Sequence, residues 1–205
     1  IVLSVLADIA QSVHKFALDL RHLQAPPYAE MSEPMKESQV GSSAMPSKKN
    51  PITSERMCSL TRYVMNLPGV AWENSAQSIL ERTLDDSANR SIIIPESFLA
   101  IDECLSLYQN ILEGLEIYPE GIKNNLEKYA PFSGTEAILM RLAEGGKDRQ
   151  EMHERLREIA SEAWKEVMKG NENPIYDLLK EDEVIGSELT EKEIEELLDP
   201  SKHIG

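Results

Sequence analysis

Two long apolar stripes constrain the fold of this chain more than any other feature. In the first, apolar residues alternate steps of three and four at Leu3, Leu6, Ala10, Val13, Ala17 and Leu20. The second repeats the alternation at Ile94, Phe98, Ile101, Leu105, Tyr108 and Leu112. This spacing is typical of one face of an α-helix, and a stripe of this length needs a long partner helix to cover it. We therefore predict an all-α fold with a long-helix bundle.

Between the stripes, prolines and small residues mark the expected helix ends. The first helix should end at Ala25-Pro26-Pro27, and a polar loop should follow. Helix should run from Pro51 to about Asn66, be interrupted or kinked at Pro68-Gly69, and resume through Trp72 toward Leu80.

Shorter, more highly charged helices are predicted after Tyr129-Ala130-Pro131. One helix should run from Gly134-Thr135-Glu136 to Gly145-Gly146. Further helix starts are predicted by a cap at Asp148, by Asn173-Pro174 and by a capping box at Thr190-Glu191-Lys192-Glu193. The length of 205 residues permits one elongated domain or two small ones. We place the boundary near Ala130, which gives a bundle segment at 1–130 and a C-terminal helical domain at 131–205.

Composition excludes several classes of partner. A net charge of −15 disfavours nucleic acids and anionic membranes, which would repel the chain. The chain has two cysteines and four histidines, without metal-type spacing, so we expect a reducing, cytoplasmic location and no metal. No apolar run approaches the length of a membrane span.

The stretch from Gly41 to Glu55 carries the clearest chemical signal. Its small residues suit close approach to a ligand, and we expect it to form an active-site lid. Asn50 followed by Pro51 predicts an N-cap with proline at the first helical position, so that the helix start would bind an anion. Lys48 would add positive charge there, and Ser42 or Ser43 would supply a hydroxyl.

This string resembles the signature loop of the fumarase/aspartase superfamily, Gly-Ser-Ser-x-Met-Pro-x-Lys-x-Asn-Pro, with a glutamate one turn later. Every fixed position of that pattern is filled here, over residues 41–51. Met45 within the loop is assigned to the substrate-binding group. The resemblance implies that Ser42 is the catalytic base, with Ser43 as the alternative, and that Lys48 and Asn50 stabilise negative charge. Glu55 would orient Lys48 or hold the loop.

A second segment, Glu81 to Pro95, resembles the substrate-binding segment of the adenylosuccinate lyase family. Arg82 and Ser87 match positions that bind the phosphate and neighbouring parts of the nucleotide, and Arg56 matches another. Guanidinium groups suit bidentate phosphate binding. Many relatives carry arginine where this chain has Ser91, so either Arg90 substitutes for it or the contact is weakened.

The resemblance implies β-elimination of fumarate from adenylosuccinate, giving AMP, and from the succinylated aminoimidazole carboxamide ribotide, without a cofactor. It also implies a homotetramer whose active sites each combine three subunits. Members are roughly twice as long, and their general-acid histidine lies upstream, so we expect this chain to be a C-terminal fragment that is inactive alone. Two alternatives stay open: another fumarate-releasing lyase, such as argininosuccinate lyase, or a non-catalytic helical oligomer.

Overall fold

A computed structural model of the chain describes residues 1–35, 49–81 and 83–202. The chain divides into two compact units, Ile1–Pro119 and Glu120–Gly205. We call these the bundle unit and the C-terminal unit. The sequence places the division later in the chain, near Ala130.

Three long helices form most of the bundle unit: α1 (Val2–Leu23), α2 (Ile52–Ala76) and α3 (Ser87–Glu113). Two short antiparallel strands, β1 (Met31–Ser32) and β2 (Glu116–Ile117), pair Met31 with Ile117 and Ser32 with Glu116. Strands of two residues leave no periodic pattern in a sequence, so this pairing was not predicted. The prediction of a helical fold is confirmed, since the other regular elements of the described residues are helices.

The first apolar stripe forms the buried face of α1, as predicted. All six of its residues are buried, and α1 ends at Leu23, immediately before the proline-containing turn. Leu3, Leu6 and Ala10 pack in one core cluster, and Val13, Ala17 and Leu20 pack in a second.

Helix α2 corrects two predictions. It begins at Ile52 rather than at Pro51, and Pro51 occupies the N-cap position in place of Asn50. It also continues through Pro68 without interruption. Val64 and Leu67 before this proline pack in the same core cluster as Val70 and Ala71 after it. We attribute the continuity to this packing, which outweighs the local preference of proline to break a helix.

The second predicted stripe is only partly buried within one chain. The helix buries Ile93, Ser97, Ile101, Cys104 and Ile111, whereas Phe98, Leu105 and Leu112 are 52%, 45% and 48% exposed. Both faces are apolar, so the 3.6-residue period alone does not decide which one packs against α1 and α2. The face containing Phe98, Leu105 and Leu112 is uncovered in this chain.

The second unit contains shorter helices: α4 (Pro119–Tyr129), α5 (Pro131–Glu144), α6 (Arg149–Met168), α7 (Ile175–Glu181), α8 (Ile185–Glu188) and α9 (Glu191–Leu198). A 3-10 turn at Pro200–Lys202 follows. A single apolar cluster joins α5, α6, α7 and α9 through Ile138, Met152, Leu179 and Ile194. Among the described residues, no helix has the length and apolarity that a membrane span requires.

The predicted helix caps of the second unit are confirmed. Asp148 accepts hydrogen bonds from the backbone N–H groups of Gln150 and Glu151, both at 2.9 Å. Asn173 accepts from the N–H of Ile175 at 3.1 Å, and Thr190 forms the predicted capping box with Glu193. The start of α5 is the exception: it lies at Pro131 rather than at Gly134, because proline suits the first position of a helix.

Candidate active site

An open cavity of about 700 Å³ lies where the end of α1 meets the start of α2. It contains two residues of the predicted catalytic group, Asn50 and Glu55. The other lining residues come from the end of α1, the following turn, β1, the residues just before α2 and the segment after β2: Leu18, Arg21, His22, Gln24, Ala25, Pro26, Ala29, Ser32, Lys49, Pro51 and Tyr118.

The cavity concentrates basic side chains in an acidic protein. Arg21, His22 and Lys49 line it, although the chain has a net charge of −15. The Arg21 guanidinium, near the end of α1, lies 4.0 Å from the Glu55 carboxylate, near the start of α2. Cationic groups gathered at one opening attract anions and stabilise bound carboxylates. The positive charges of Arg21 and Lys49 therefore make this opening suited to attracting an anion.

The start of α2 is not the anion site that the sequence predicts, because Glu33 already occupies it. This side chain is fully buried, and its carboxylate accepts from the N–H of Thr53 at 2.9 Å and from the N–H of Ser54 at 2.8 Å. The Ser54 hydroxyl donates to it as well, at 2.7 Å. These are the N–H groups that a helix start offers to an anion. An anion in this cavity would therefore have to contact other groups.

A hydroxyl cluster lines another part of the cavity. The Tyr118 hydroxyl donates to the Glu116 carboxylate at 2.6 Å. The Ser32 hydroxyl lies 2.8 Å from the Tyr118 hydroxyl. The hydrogen bond to Glu116 raises the pKa of Tyr118, against the opposing effect of Ser32. Tyr118 is therefore a protonated phenol at neutral pH, suited to donating hydrogen bonds rather than to accepting a proton.

One of the predicted nucleotide-binding residues, Arg90, lies elsewhere in the bundle unit. Arg90 lines a second cavity, of about 480 Å³, formed by the end of α2 and the starts of α1 and α3. Its guanidinium pairs with the Asp86 carboxylate at 3.0 Å. Asn74 and Asn89 exchange two amide hydrogen bonds, of 2.6 and 2.8 Å, which join α2 to α3 beside this cavity.

The two cavities lie far apart within one chain. Asn50 precedes α2, whereas Trp72, which lines the second cavity, lies near its other end. A helical rise of 1.5 Å per residue puts about 30 Å between them. A single chain therefore does not bring Asn50 and Glu55 together with Arg90.

The remaining described candidates make contacts within the bundle unit. Arg56 pairs with Glu103 of α3 at 2.9 Å. Ser87 is the first residue of α3, and its carbonyl oxygen accepts from the Ser91 hydroxyl at 2.9 Å. Burial, with a contribution from Glu103, raises the pKa of the neighbouring Cys104 thiol to about 11, so this cysteine stays protonated.

Five predicted site residues lie outside the described residues: Ser42, Ser43, Met45, Lys48 and Arg82. Sequence reasoning missed the contribution of Glu33 and the cavity positions of Arg21, Lys49 and Tyr118. A lone glutamate has no distinguishing sequence pattern, because its partners follow it by about twenty residues. In the part of the chain that the structure describes, no group of His, Cys, Asp and Glu is arranged to hold a metal ion.

Two family models match the chain. The model for the adenylosuccinate lyase C-terminus matches residues 131–205, and a general lyase model matches residues 1–66. The first begins at the boundary that the sequence predicts, whereas the structure divides after Pro119.

Curated relatives match the chain over its whole length. The adenylosuccinate lyase of Schistosoma mansoni is 44% identical over 206 residues, which are 100% of this chain and 42% of the relative. The adenylosuccinate lyase of Saccharomyces cerevisiae is 40% identical over 205 residues, with the same coverage of each chain. The chain thus spans about two fifths of the length of these relatives.

Solved structures share the fold at lower identity. A fumarate lyase from Mesorhizobium superposes with a TM-score of 0.79 and 21% identity, covering 100% of this chain and 43% of that one. The 3-carboxy-cis,cis-muconate lactonizing enzyme of Pseudomonas putida gives 0.78 and 24%, covering 99% and 43%. These likenesses confirm the expected fold, a long-helix bundle segment followed by a small helical domain.

Proposed function

The chain belongs to the adenylosuccinate lyase family, and we propose that the full-length protein eliminates fumarate from a succinylated amino nucleotide. Its substrates would be adenylosuccinate, which gives AMP, and the succinylated aminoimidazole carboxamide ribotide, which gives its amine. The observation that carries this proposal is the identity of 44% to an adenylosuccinate lyase across the whole chain.

The reaction requires removal of a weakly acidic proton. A base takes the proton from the carbon beside a succinyl carboxylate, and negative charge develops on that carboxylate. The electron pair then forms the double bond of fumarate while the carbon–nitrogen bond breaks, and the nitrogen takes a proton from a general acid. We assign the base to Ser42, with Ser43 as the alternative. A serine hydroxyl becomes basic enough only where cations and exclusion of water stabilise its alkoxide.

The cationic cavity suits the charge that develops during this step. Lys48 and Asn50 are the residues that the signature assigns to stabilising the dianion. Arg21 and Lys49 would add positive charge from the cavity wall. Such preorganised groups stabilise a transition state because they need no reorganisation as charge appears. We propose that Glu55 keeps its supporting role, which its proximity to Arg21 favours.

Part of the nucleotide site would come from a different copy of the chain. We assign contacts with the phosphate and neighbouring parts of the nucleotide to Arg56, Arg82, Ser87 and Arg90; at Ser91, either Arg90 substitutes for the arginine of many relatives or the contact is weakened. Trp72, which lines the same cavity as Arg90, lies about 30 Å from Asn50 along α2, beyond the reach of one substrate molecule. We therefore propose a homotetramer with shared active sites. The uncovered α3 face supports it, because exposed apolar faces mark subunit contacts.

Fumarate release by the purified full-length protein tests this function. We expect absorbance changes with adenylosuccinate and none with argininosuccinate as the comparison substrate. Ser42→Ala should lower kcat by several orders of magnitude without changing nucleotide affinity, and Ser47→Ala, in the same segment, is the matched control. Arg82→Ala should chiefly raise KM, because phosphate contacts persist from ground state to transition state. Full turnover by Ser42→Ala would remove Ser42 from the mechanism.

We propose the cytoplasm as the place where the enzyme acts, on the resemblance to the family and on its two free, buried cysteines.

A further inference from the structure

We propose that Glu33 and Gln24 are positioning residues of this active site, which fix the start of α2 against the end of α1. The inference rests on the proposed function, because it assigns a role in that reaction. Neither residue would touch the substrate. Both would act through Asn50 and the residues beside it, which line the 700 Å³ cavity.

Glu33 joins two stretches of chain that are separate in sequence. It precedes residues 36–48, whereas its partners Thr53 and Ser54 follow them. The carboxylate uses both oxygens: Oε1 accepts from the N–H of Thr53, and Oε2 accepts from the N–H and the hydroxyl of Ser54. A carboxylate at the positive end of a 25-residue helix gains from these charged hydrogen bonds and from the helix dipole. Three short contacts to a fully buried group leave α2 little freedom to shift at its start.

Gln24 makes a second connection between the same stretches. Its side-chain oxygen accepts from the N–H of Glu33 at 3.1 Å, and its amide nitrogen donates to the carbonyl oxygen of Lys49 at 3.4 Å. Gln24 is itself the C-cap residue of α1. One amide therefore ties the end of α1 to the chain immediately before Pro34 and immediately before Asn50.

The segment that carries Glu33 is itself held in place. Met31 and Ser32 pair with β2, and the N–H of Tyr118 donates to the carbonyl oxygen of Glu30 at 2.8 Å. Pro34 packs on Gly114, where an added Cβ would lie 2.7 Å from the proline Cβ. Glu33 is thus a fixed point from which the start of α2 is positioned, rather than a side chain that follows α2.

Replacing the carboxylate by an amide should disturb this arrangement while conserving shape. In Glu33→Gln, one side-chain oxygen remains, and the new NH₂ group must face an N–H donor of α2. A buried donor facing another donor loses one hydrogen bond and leaves both groups without an acceptor. We expect the start of α2 to shift and Asn50 to shift with it. Displacements of about 1 Å in an active site cost up to about a hundredfold in rate.

Two measurements on the full-length protein test the proposal. The first is steady-state kinetics with adenylosuccinate, for which Glu33→Gln should lower kcat at least tenfold and change KM less than threefold. The second is hydrogen–deuterium exchange of the peptide covering residues 49–56, which should become faster in the same variant. Gln24→Ala should change both readouts in the same direction.

Asp182→Asn is the matched control. Its carboxylate also accepts from two consecutive backbone N–H groups, those of Val184 and Ile185, at 3.0 and 2.9 Å. It lies in the C-terminal unit, so this variant should lose stability while kcat and exchange at 49–56 stay unchanged. Both variants are assayed well below their unfolding temperatures, and rates are expressed per folded active site.

Four outcomes are decisive. Equal kcat in Glu33→Gln and the unmodified protein overturns the positioning role, and so does an equal loss in Asp182→Asn. Absence of fumarate release by the unmodified protein overturns the proposed function alone. In that case hydrogen–deuterium exchange at residues 49–56 still decides whether Glu33 fixes the start of α2. Unchanged exchange in Glu33→Gln would overturn this structural role as well.

Discussion

The bundle unit and the C-terminal unit differ in how completely they bury the apolar faces of their helices. Of the twenty-four large apolar side chains that are exposed among the described residues, nineteen belong to the bundle unit and five to the C-terminal unit. The C-terminal unit buries its apolar stripes in one cluster of its own. The bundle unit leaves one face of α3 uncovered, which is typical of a segment completed by other chains.

The two units also differ in whether the groups that cap their helices are local or distant in sequence. In the C-terminal unit, Asp148 and Thr190 cap the helices that they directly precede. In the bundle unit, the first N–H groups of α2 donate to Glu33, which lies about twenty residues earlier in the chain. A local cap forms whenever its helix forms, whereas a remote cap forms only after tertiary packing. The C-terminal unit should therefore respond to substitutions as a conventional small domain.

The largest expected difference concerns two glycines. A Cβ at Gly134 would lie 2.6 Å from the carbonyl oxygen of Leu197, whereas a Cβ at Gly69 meets nothing within 4 Å. Gly134→Ala should lose about 3 kcal/mol of unfolding free energy through overpacking against backbone. Gly69→Ala should gain about 0.5–1 kcal/mol because alanine favours a helix interior. Urea unfolding of this chain, followed by Trp164 fluorescence for the first and Trp72 for the second, measures both. Similar losses at the two positions would mean that the units are packed alike.

Asp182→Asn should have the next largest effect. Burial would raise the pKa of Asp182, but hydrogen bonds from Arg155 and from the N–H groups of Ile185 and Val184 lower it overall. We expect a loss of about 2 kcal/mol at pH 7, the range for hydrogen bonds to a charged group.

The pH dependence of this variant has a defined sign. Because the folded pKa lies below the unfolded one, the Asp182 contribution is complete above the unfolded pKa and is lost as pH falls through the folded pKa. Unfolding curves between pH 7 and pH 2 should therefore show less acid sensitivity in Asp182→Asn. The exposed Asp19, in an i,i+4 pair with Lys15, supplies the control Asp19→Asn, which should change stability by less than about 1 kcal/mol. An unchanged acid profile in Asp182→Asn would contradict the assignment.

A smaller effect is expected from removing a local cap. Asp148→Ala should cost about 1 kcal/mol, since two N–H groups of α6 lose their acceptor. The same substitution in a peptide of residues 147–169 should lower its helix content by circular dichroism, because the cap needs no tertiary partner. Glu162→Ala, in the middle of α6, is the comparison and should leave the protein within about 0.5 kcal/mol of its original stability. No change in the Asp148→Ala peptide would show that this cap also depends on the fold.

The smallest effect on folding should come from the uncovered face of α3. Leu105→Ser should change the unfolding free energy of the dilute monomer by less than about 0.5 kcal/mol, because Leu105 is 45% exposed. Self-association measured by sedimentation should weaken, since the substitution places a hydroxyl on the proposed subunit contact. Ser106→Ala, at the next position, serves as the control. Unchanged association in Leu105→Ser would remove this face from the proposed tetramer.

The sequence by itself determined the features that depend on neighbouring residues. Its three-four spacing predicted the buried face of α1, and Asp148, Asn173 and Thr190 predicted helix starts that the structure confirms. These succeeded because a helix repeats every 3.6 residues and a cap binds N–H groups within three residues of itself. The signature loop likewise identified the family from adjacent residues, and its roles for Ser42 and Lys48 stay predictions.

Only the tertiary structure decided the features that join distant parts of the chain. It determined which apolar face of α3 is buried and that α2 continues through Pro68. It placed the Glu33 carboxylate at the start of α2, where the sequence predicts a bound anion. It also placed Asn50 and Arg90 at opposite ends of the bundle unit. In each case the deciding contact is made by residues about twenty or more positions apart, or by packing between helices, and no local spacing in the sequence records such a contact.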